Sequence, residues 1–412
     1  MLYGSEIWWP GPDKPAAKHV EGERPRVTHG LSYQLNKLRI ALSSAMRACI
    51  PAWKTTPIPA MQREASIPPI EIILNNNRRR HALRLGTLPT GHPLVSRILN
   101  HKPLRDRGNG TAPTTLTEVT SLASGFPRPV LYAPTYADTP LALKPKDDAA
   151  KDVMEWLNSV EPNRTVVYTD GSKTLLDDKS RIGTGYGYVL YRNNKIVHAG
   201  CRPLDKAEVF DAEAEGAAHG LLRATQLFPQ DPITVCLGNA AVLHGLQGKP
   251  PDSSQHAFLQ FYKAANKHNH DVSTKWSPGH MNIPGNEMAD TLAKKGAHAP
   301  IPKREPTRSY VKRILRRDTR RDLSAWWIRE RPNSYKHLGL MASLKPTDVL
   351  MALGRQDLHL ILAARTGHGD FADYHTRFNH PDANQNCSCG KRKTPVHPLF
   401  CRKAKRAYHP GR

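Results

Sequence analysis

Apolar and polar positions alternate with two different periods along this chain. From Leu31 to Ile50 apolar residues recur at helical spacing, at Leu35, Leu38, Ile40, Leu42, Met46 and Ile50. Lys37, Arg39 and Arg47 lie between them, and Pro51 closes the run, so an amphipathic helix is predicted. Pro57, Pro59, Pro68 and Pro69 punctuate a loop, and a second helix is expected from about Ile70. Its Arg78-Arg79-Arg80 run, with Arg84 one turn on, makes a basic face that reads equally as solvated surface or as a phosphate contact. Residues 103–148 are rich in Pro, Thr, Asp and Gly, lack periodicity and read as a linker.

From Thr165 the period becomes two. In Thr165-Val-Val-Tyr-Thr-Asp170-Gly-Ser-Lys173, Val166, Tyr168 and Asp170 share one face and Val167 and Thr169 the other, and Gly171-Ser172 predicts a turn after Asp170. Gly183–Tyr191 and Lys195–Cys201 read as two more strands around an Asn193-Asn194 hairpin tip. A helix is expected over 207–227, with its stripe at Phe210, Ala214, Ala217, Ala218, Leu221 and Leu222. A fourth strand (Pro232–Leu237), helical segments at Ala240–Leu246 and Ser253–His268, a fifth strand near Asp271–Trp276 and a last helix from Asn286 to Ala297 follow. Three antiparallel strands followed by helices alternating with parallel strands predict an α/β fold, a mixed five-stranded sheet with flanking helices. Beyond Pro302 the chain is basic and helical, with Lys312, Arg313, Arg316, Arg317, Arg320 and Arg321 close together.

Charge narrows the classes of partner. Sixty Lys+Arg against 36 Asp+Glu give the 412 residues a net charge of +24, which favours a polyanion, most simply nucleic acid. Six cysteines, three of them clustered near the end, suit a reducing compartment with one metal site rather than a disulfide framework. The start has no basic stretch followed by an apolar one, and no uncharged apolar run is long enough to span a bilayer. An intracellular protein of nucleus or cytoplasm, not secreted and without a membrane partner, is expected.

A lone Asp-Gly-Ser is most often a turn. Here three further motifs follow it: Glu213 early in Phe-Asp-Ala-Glu-Ala-Glu-Gly-Ala, the strand end Val-Cys-Leu-Gly238-Asn-Ala-Ala, and Trp276-Ser-Pro-Gly-His280-Met-Asn-Ile-Pro-Gly-Asn-Glu287-Met-Ala-Asp290. In this order they resemble the type 1 ribonuclease H domain. The resemblance implies a ribonuclease H-like fold, Mg²⁺ (or Mn²⁺) held by Asp170, Glu213 and Asp290, and a loop histidine, His280, that moves protons or helps release product. RNA–DNA hybrids would be the substrate and single strands further partners. In-line phosphodiester hydrolysis suits two cations about 3.5–4 Å apart on carboxylates from different elements. Asp211 and Glu215 flank Glu213 but point elsewhere on a helix, and Glu287 reads either as support for the site or, preferably, as a cap of the last helix. The family ends its fourth strand in aspartate, whereas this chain has Gly238, which offers no ligand. Asn239 cannot stand in for it, because successive strand residues face opposite ways. Weakened metal binding and a rate lower by orders of magnitude are therefore expected.

The flanks resemble the C-terminal part of a non-LTR retrotransposon polyprotein of the fungal type. Residues 1–100 are similar to the region after a reverse-transcriptase palm, through Leu2-Tyr-Gly-Ser-Glu-Ile-Trp-Trp9, Ala52-Trp-Lys-Thr-Thr-Pro57, Glu64-Ala-Ser-Ile-Pro68 and Arg84-Leu-Gly-Thr-Leu-Pro…His92-Pro-Leu94. The segments read as that remnant (1–100), a linker (101–160), the ribonuclease H domain (161–300), a basic helical region (301–380) and a tail (381–412). Phe371-Ala-Asp-Tyr374 lacks the second aspartate of a polymerase motif and is not read as one. In the tail, Cys387, Cys389, His397 and Cys401 offer three thiolates and an imidazole, a Zn²⁺ set resembling a CCHC knuckle, among basic residues expected to meet phosphates. A hybrid-cutting ribonuclease, impaired by Gly238 at a metal-ligand position, is the first expectation. A catalytically dead nucleic-acid binder is the second. A ribosome-associated basic protein would leave the four motifs unexplained.

Overall fold

The computed structural model describes residues 29–85, 88, 92–94, 144–175, 182–248, 250–300, 306–346 and 348–403. The Leu2–Trp9 stretch, most of the expected linker, parts of the Arg84–Leu94 stretch and the last nine basic-rich positions lie outside them. In chain order the helices are α1 His29–Cys49, α2 Ile58–Glu64, α3 Ile70–Leu85, α4 Lys146–Ser159, α5 Val209–Leu227, α6 Ala240–Gln247 and α7 Gln255–Lys267. They continue with α8 Pro284–His298, α9 Arg308–Glu330, α10 Asn333–His337, α11 Asp348–Met351, α12 Arg355–Thr366, α13 Ala372–Arg377 and α14 His397–Phe400. Two compact units result, one of the described residues up to Arg79 and from Leu315 on, the other of Arg80–Ile314.

The second unit is built on β1 Thr165–Leu175, β2 Ile182–Arg192, β3 Lys195–Leu204, β4 Ile233–Leu237 and β5 Val272–Trp276, in the order β3-β2-β1-β4-β5. β1, β2 and β3 run antiparallel, and β4 and β5 run parallel to β1. This is the expected mixed five-stranded sheet with flanking helices. Alternation along β1 divides the core between two faces. Val167 packs with Val235, Leu237, Leu221 and Phe258 under α5, α6 and α7. Val166, Tyr168 and Cys236 pack with Ile283 and Ala289 of the α8 side and with Ala150 and Val153 of α4. Each large side chain removed from water in this way contributes about 1.5–3 kcal/mol.

Four features depart from the sequence pattern, the first being α2, Ile58–Glu64, a helix inside the expected proline-punctuated loop. β1 does not turn after Asp170; it runs on to Leu175 in register with β2. Gly171 is a strand residue there because α5 crosses so close that a Cβ would meet the Glu213 backbone nitrogen at 2.6 Å. Residues 146–159, inside the expected linker, form α4, whose Ala149, Ala150 and Val153 recur at helical spacing and are buried. Ile40, assigned to the apolar stripe of α1, is 58% exposed, while Leu38, Met46 and Ile50 are buried. The Asn193-Asn194 tip is as expected, with φ of 51° and 57°, the left-handed pair of a tight hairpin.

In the first unit Met46 of α1 and Ile50 just after it pack with Met61 of α2 and Leu362 of α12. Glu64, with its side chain only 2% exposed, is held by Arg63, Arg365 and the Tyr335 hydroxyl. Arg79, from the basic face of α3, is paired with Asp322 at 2.7 Å.

Asp211 fixes the start of α5. Its carboxylate accepts from the Glu208 amide, from Ser253 and Ser254, and from Thr307, while the residue is 1% exposed. Truncation leaves those donors without an acceptor, so Asp211→Ala is expected to cost about 2–4 kcal/mol in denaturant unfolding. A loss below about 0.5 kcal/mol would show that the network is incidental.

Candidate active site

The sheet ends unevenly, and that makes the site. β4 pairs with β1 only as far as Thr169↔Leu237, so Asp170 is the first β1 residue beyond the parallel ladder. Asp170 keeps its β2 partner, Gly187, where a Cβ would lie 2.5 Å from the Ala293 nitrogen of α8. That close approach brings α8, and with it Asp290, over the strand end. From the other face the Gly171 crossing brings in Glu213. Glu213 and Asp290 thereby both come close enough to Asp170 to perturb its carboxyl.

Their electrostatics follow from burial and like charge. Burial, then the neighbouring Asp290 charge, pushes the Asp170 carboxyl up to about 6, against a pull downward from the Gly171 amide. Glu213, 5% exposed, is driven well above the usual carboxylate range by burial first and by Asp170 second. Its Oε2 is buried without a hydrogen-bond partner. A hard divalent cation fits this set, because it would supply the missing partner of Oε2 and the positive charge that the cluster lacks. Lys294, one turn after Asp290, donates to it at 2.6 Å and supplies part of that charge.

His280 is exposed on the loop between β5 and α8, with a left-handed φ of 62°. One potential ligand atom from each of His280, Glu287 and Asp290 lies within 4.8 Å of the others. Glu287 was read from sequence as a helix cap. That is corrected: α8 has no side-chain cap at Ile283, and Glu287 joins the site instead. The physical reason is position, since Pro284 starts the helix two residues early and places Glu287 in the first turn, one turn before Asp290. Asn286 was missed. Its Nδ2 donates to the carbonyls of Ser277 and Pro278, and the Ser277 amide donates to Leu237, so the His280 loop is pinned at its root. The signal was available in Gly-Asn-Glu, as a buried amide between a loop and a helix. Glu215 faces His219 and Asp211 serves the α5 cap, so both stay outside the site as expected.

Gly238 is the first residue after β4, as Asp170 is the first β1 residue beyond the parallel ladder. Cys236 lies on the Tyr168 face and Leu237 on the opposite one, so continuing the alternation by one position points 238 to the side of Asp170. A Cβ there would meet the Ser277 carbonyl at 3.7 Å and the Gly279 nitrogen at 3.9 Å, ordinary contacts. Asn239 is engaged as the cap of α6, accepting from the Ala241 and Val242 amides. A side chain at 238 would fit.

A second constellation lies in the other unit. Cys387, Cys389, His397 and Cys401 offer ligand atoms all within 4.8 Å of one another. Cys387 Sγ is 3.8 Å from Cys401 Sγ, and Cys389 Sγ is 3.4 Å from His397 Nε2. Tetrahedral Zn–S bonds of about 2.3 Å require an S–S edge of about 3.8 Å, so the set fits Zn²⁺. The Cys389 amide first, and the His397 ring second, hold the Cys387 thiol down at about 6.

No family model matches the chain, and no curated protein matches it. Solved structures do. The N-terminal RNase H domain of rv2228c from Mycobacterium tuberculosis, solved as a fusion with maltose-binding protein, is 21% identical with a TM-score of 0.28, over 32% of this chain and 98% of that one. The protease-reverse transcriptase of prototype foamy virus is 20% identical with a TM-score of 0.29, over 33% of this chain and 21% of that one. A foamy viral protease-reverse transcriptase in complex with RNA/DNA hybrid is 16% identical with a TM-score of 0.29, over 45% and 26%. This chain thus spans about a fifth to a quarter of the foamy virus proteins.

The raised Asp170 value has a pH consequence. Folded protein holds that proton more tightly than the unfolded chain, so its contribution to stability is full below about pH 4 and is lost as pH rises through about 6. Unfolding free energies of the metal-free chain are expected to fall relative to Asp170→Asn across this window. Parallel profiles for the two proteins would contradict the assignment.

Proposed function

We propose that residues 161–300 are a ribonuclease H domain that hydrolyses the RNA strand of RNA–DNA hybrids, and that Gly238 slows it by orders of magnitude. The observation that carries this reading is the meeting of Asp170, Glu213 and Asp290 at the point where β4 stops. Mg²⁺ or Mn²⁺ bound there would polarise the phosphoryl oxygens and activate water. The chain's own residues have distinct tasks. Asp170 links the other two carboxylates and Glu213 offers a free buried oxygen. Asp290 shares its charge with Lys294. His280, exposed on its pinned loop, exchanges protons between the site and solvent.

The wider setting in this reading is the C-terminal part of a fungal-type non-LTR retrotransposon polyprotein, with residues 1–100 as a remnant of the region after the palm. The net charge of +24 supports a nucleic-acid partner. One observation favours a second reading, a binder that has lost its chemistry: the glycine on the Asp170 face of β4 where a ligand would stand.

Cleavage of a labelled hybrid by the natural chain and by Gly238→Asp separates the two. The variant is expected to cut with Mn²⁺ at least about a hundredfold faster, with Asp170→Asn silencing it again. A natural chain that already cuts as fast as Gly238→Asp would refute the impairment. Inactivity of both, with hybrid binding retained, would leave the binder.

A further inference from the structure

The basic residues beside the Cys/His set lie at the surface but are engaged by partners of the same unit. Lys393 spans both oxygens of Asp370, at 3.1 and 2.8 Å, and Arg392 reaches Asp373 at 2.8 Å. Arg402 and Lys403 donate to the carbonyls of Cys389 and Ser388. The backbone continues the attachment. Cys387 and Lys391 close a turn, Asn386 pairs with Arg392 in a β-bridge, and the Ala372 amide at the start of α13 donates to the Lys393 carbonyl at 2.8 Å.

α13 is in turn bound to residues near the other end of the chain. The Tyr374 hydroxyl and the Thr55 hydroxyl are 2.9 Å apart, and the Tyr374 ring lies 6.0 Å from that of Trp53. Thr55 also meets His368 Nδ1 at 3.0 Å, and His359 Nδ1 meets the Pro51 carbonyl at 2.6 Å. A continuous path of contacts therefore joins the four ligands to Trp53 and Thr55, all within one unit. Exposed ion pairs such as Arg392–Asp373 hold little by themselves, whereas a structural zinc supplies folding free energy outright.

We propose that Cys387, Cys389, His397 and Cys401 bind Zn²⁺ as a structural clasp, which fastens the 385–401 segment to α13 and thereby orders Trp53–Thr55. The site serves the fold of its own unit rather than reading single strands.

The test uses the full chain, with zinc content and amide hydrogen exchange as readouts. The natural chain is expected to hold one zinc. Chelation should speed exchange about tenfold or more over 366–393 and also over 51–57, with β1 unchanged. Cys389→Ser should reproduce this without chelator. Asp370→Asn combined with Asp373→Asn should keep the zinc but confine the chelation response to 385–401. A chain that holds no zinc overturns the site. Zinc whose removal from the natural chain affects 385–401 alone, with loss of single-stranded DNA affinity, overturns the clasp and makes the segment a free knuckle.

Discussion

Burying like charges together is the constraint that the α/β unit is built around. Asp170 and Glu213 sit at a partly buried corner beside Asp290, and burial together with the neighbouring negative charge pushes protons onto both of them. Such a corner is costly without a cation, so the surroundings must hold the carboxylates against their own repulsion. Two glycines do much of this, Gly171 by admitting α5 and Gly187 by admitting α8. Asp211 fixes the end of α5 from which Glu213 projects, and Asn286 fixes the loop that carries His280.

Much of the sheet was legible in the sequence because its signals are local. Alternation gave the strands, Asn193-Asn194 gave the hairpin, and the order of the motifs singled out the acidic residues that the fold brings near Asp170. What escaped depends on contacts between distant segments. Gly171 has the composition of a turn, and only the approach of α5 makes it a strand residue. Glu287 sits where a cap would, and only the His280 loop folded against it brings it to the site. Ile40 fits the helical stripe by spacing but has no partner face to bury it.

The zinc set shows the same division. Three cysteines and a histidine can be counted in one dimension, and the structure brings all four together. Their basic neighbours looked equally ready for phosphate, because Asp370 and Asp373 lie in a segment whose own pattern says nothing of Lys393 and Arg392. The lysine and arginine are paired with these two aspartates at the surface of the unit, which offsets their positive charge.

Gly238 ties the account together. Strand parity puts it on the face of Asp170, the space around it admits a side chain, and Asn239 is occupied elsewhere. If the carboxylate corner is a cation site lacking one ligand, restoring that ligand must tighten cation binding whether or not any substrate is cut. Calorimetric titration of Mn²⁺ into the natural chain and into Gly238→Asp measures this directly. An affinity at least about tenfold higher in the variant, abolished again by Asp170→Asn, is the predicted result. Equal affinities in the natural chain and Gly238→Asp would contradict the account.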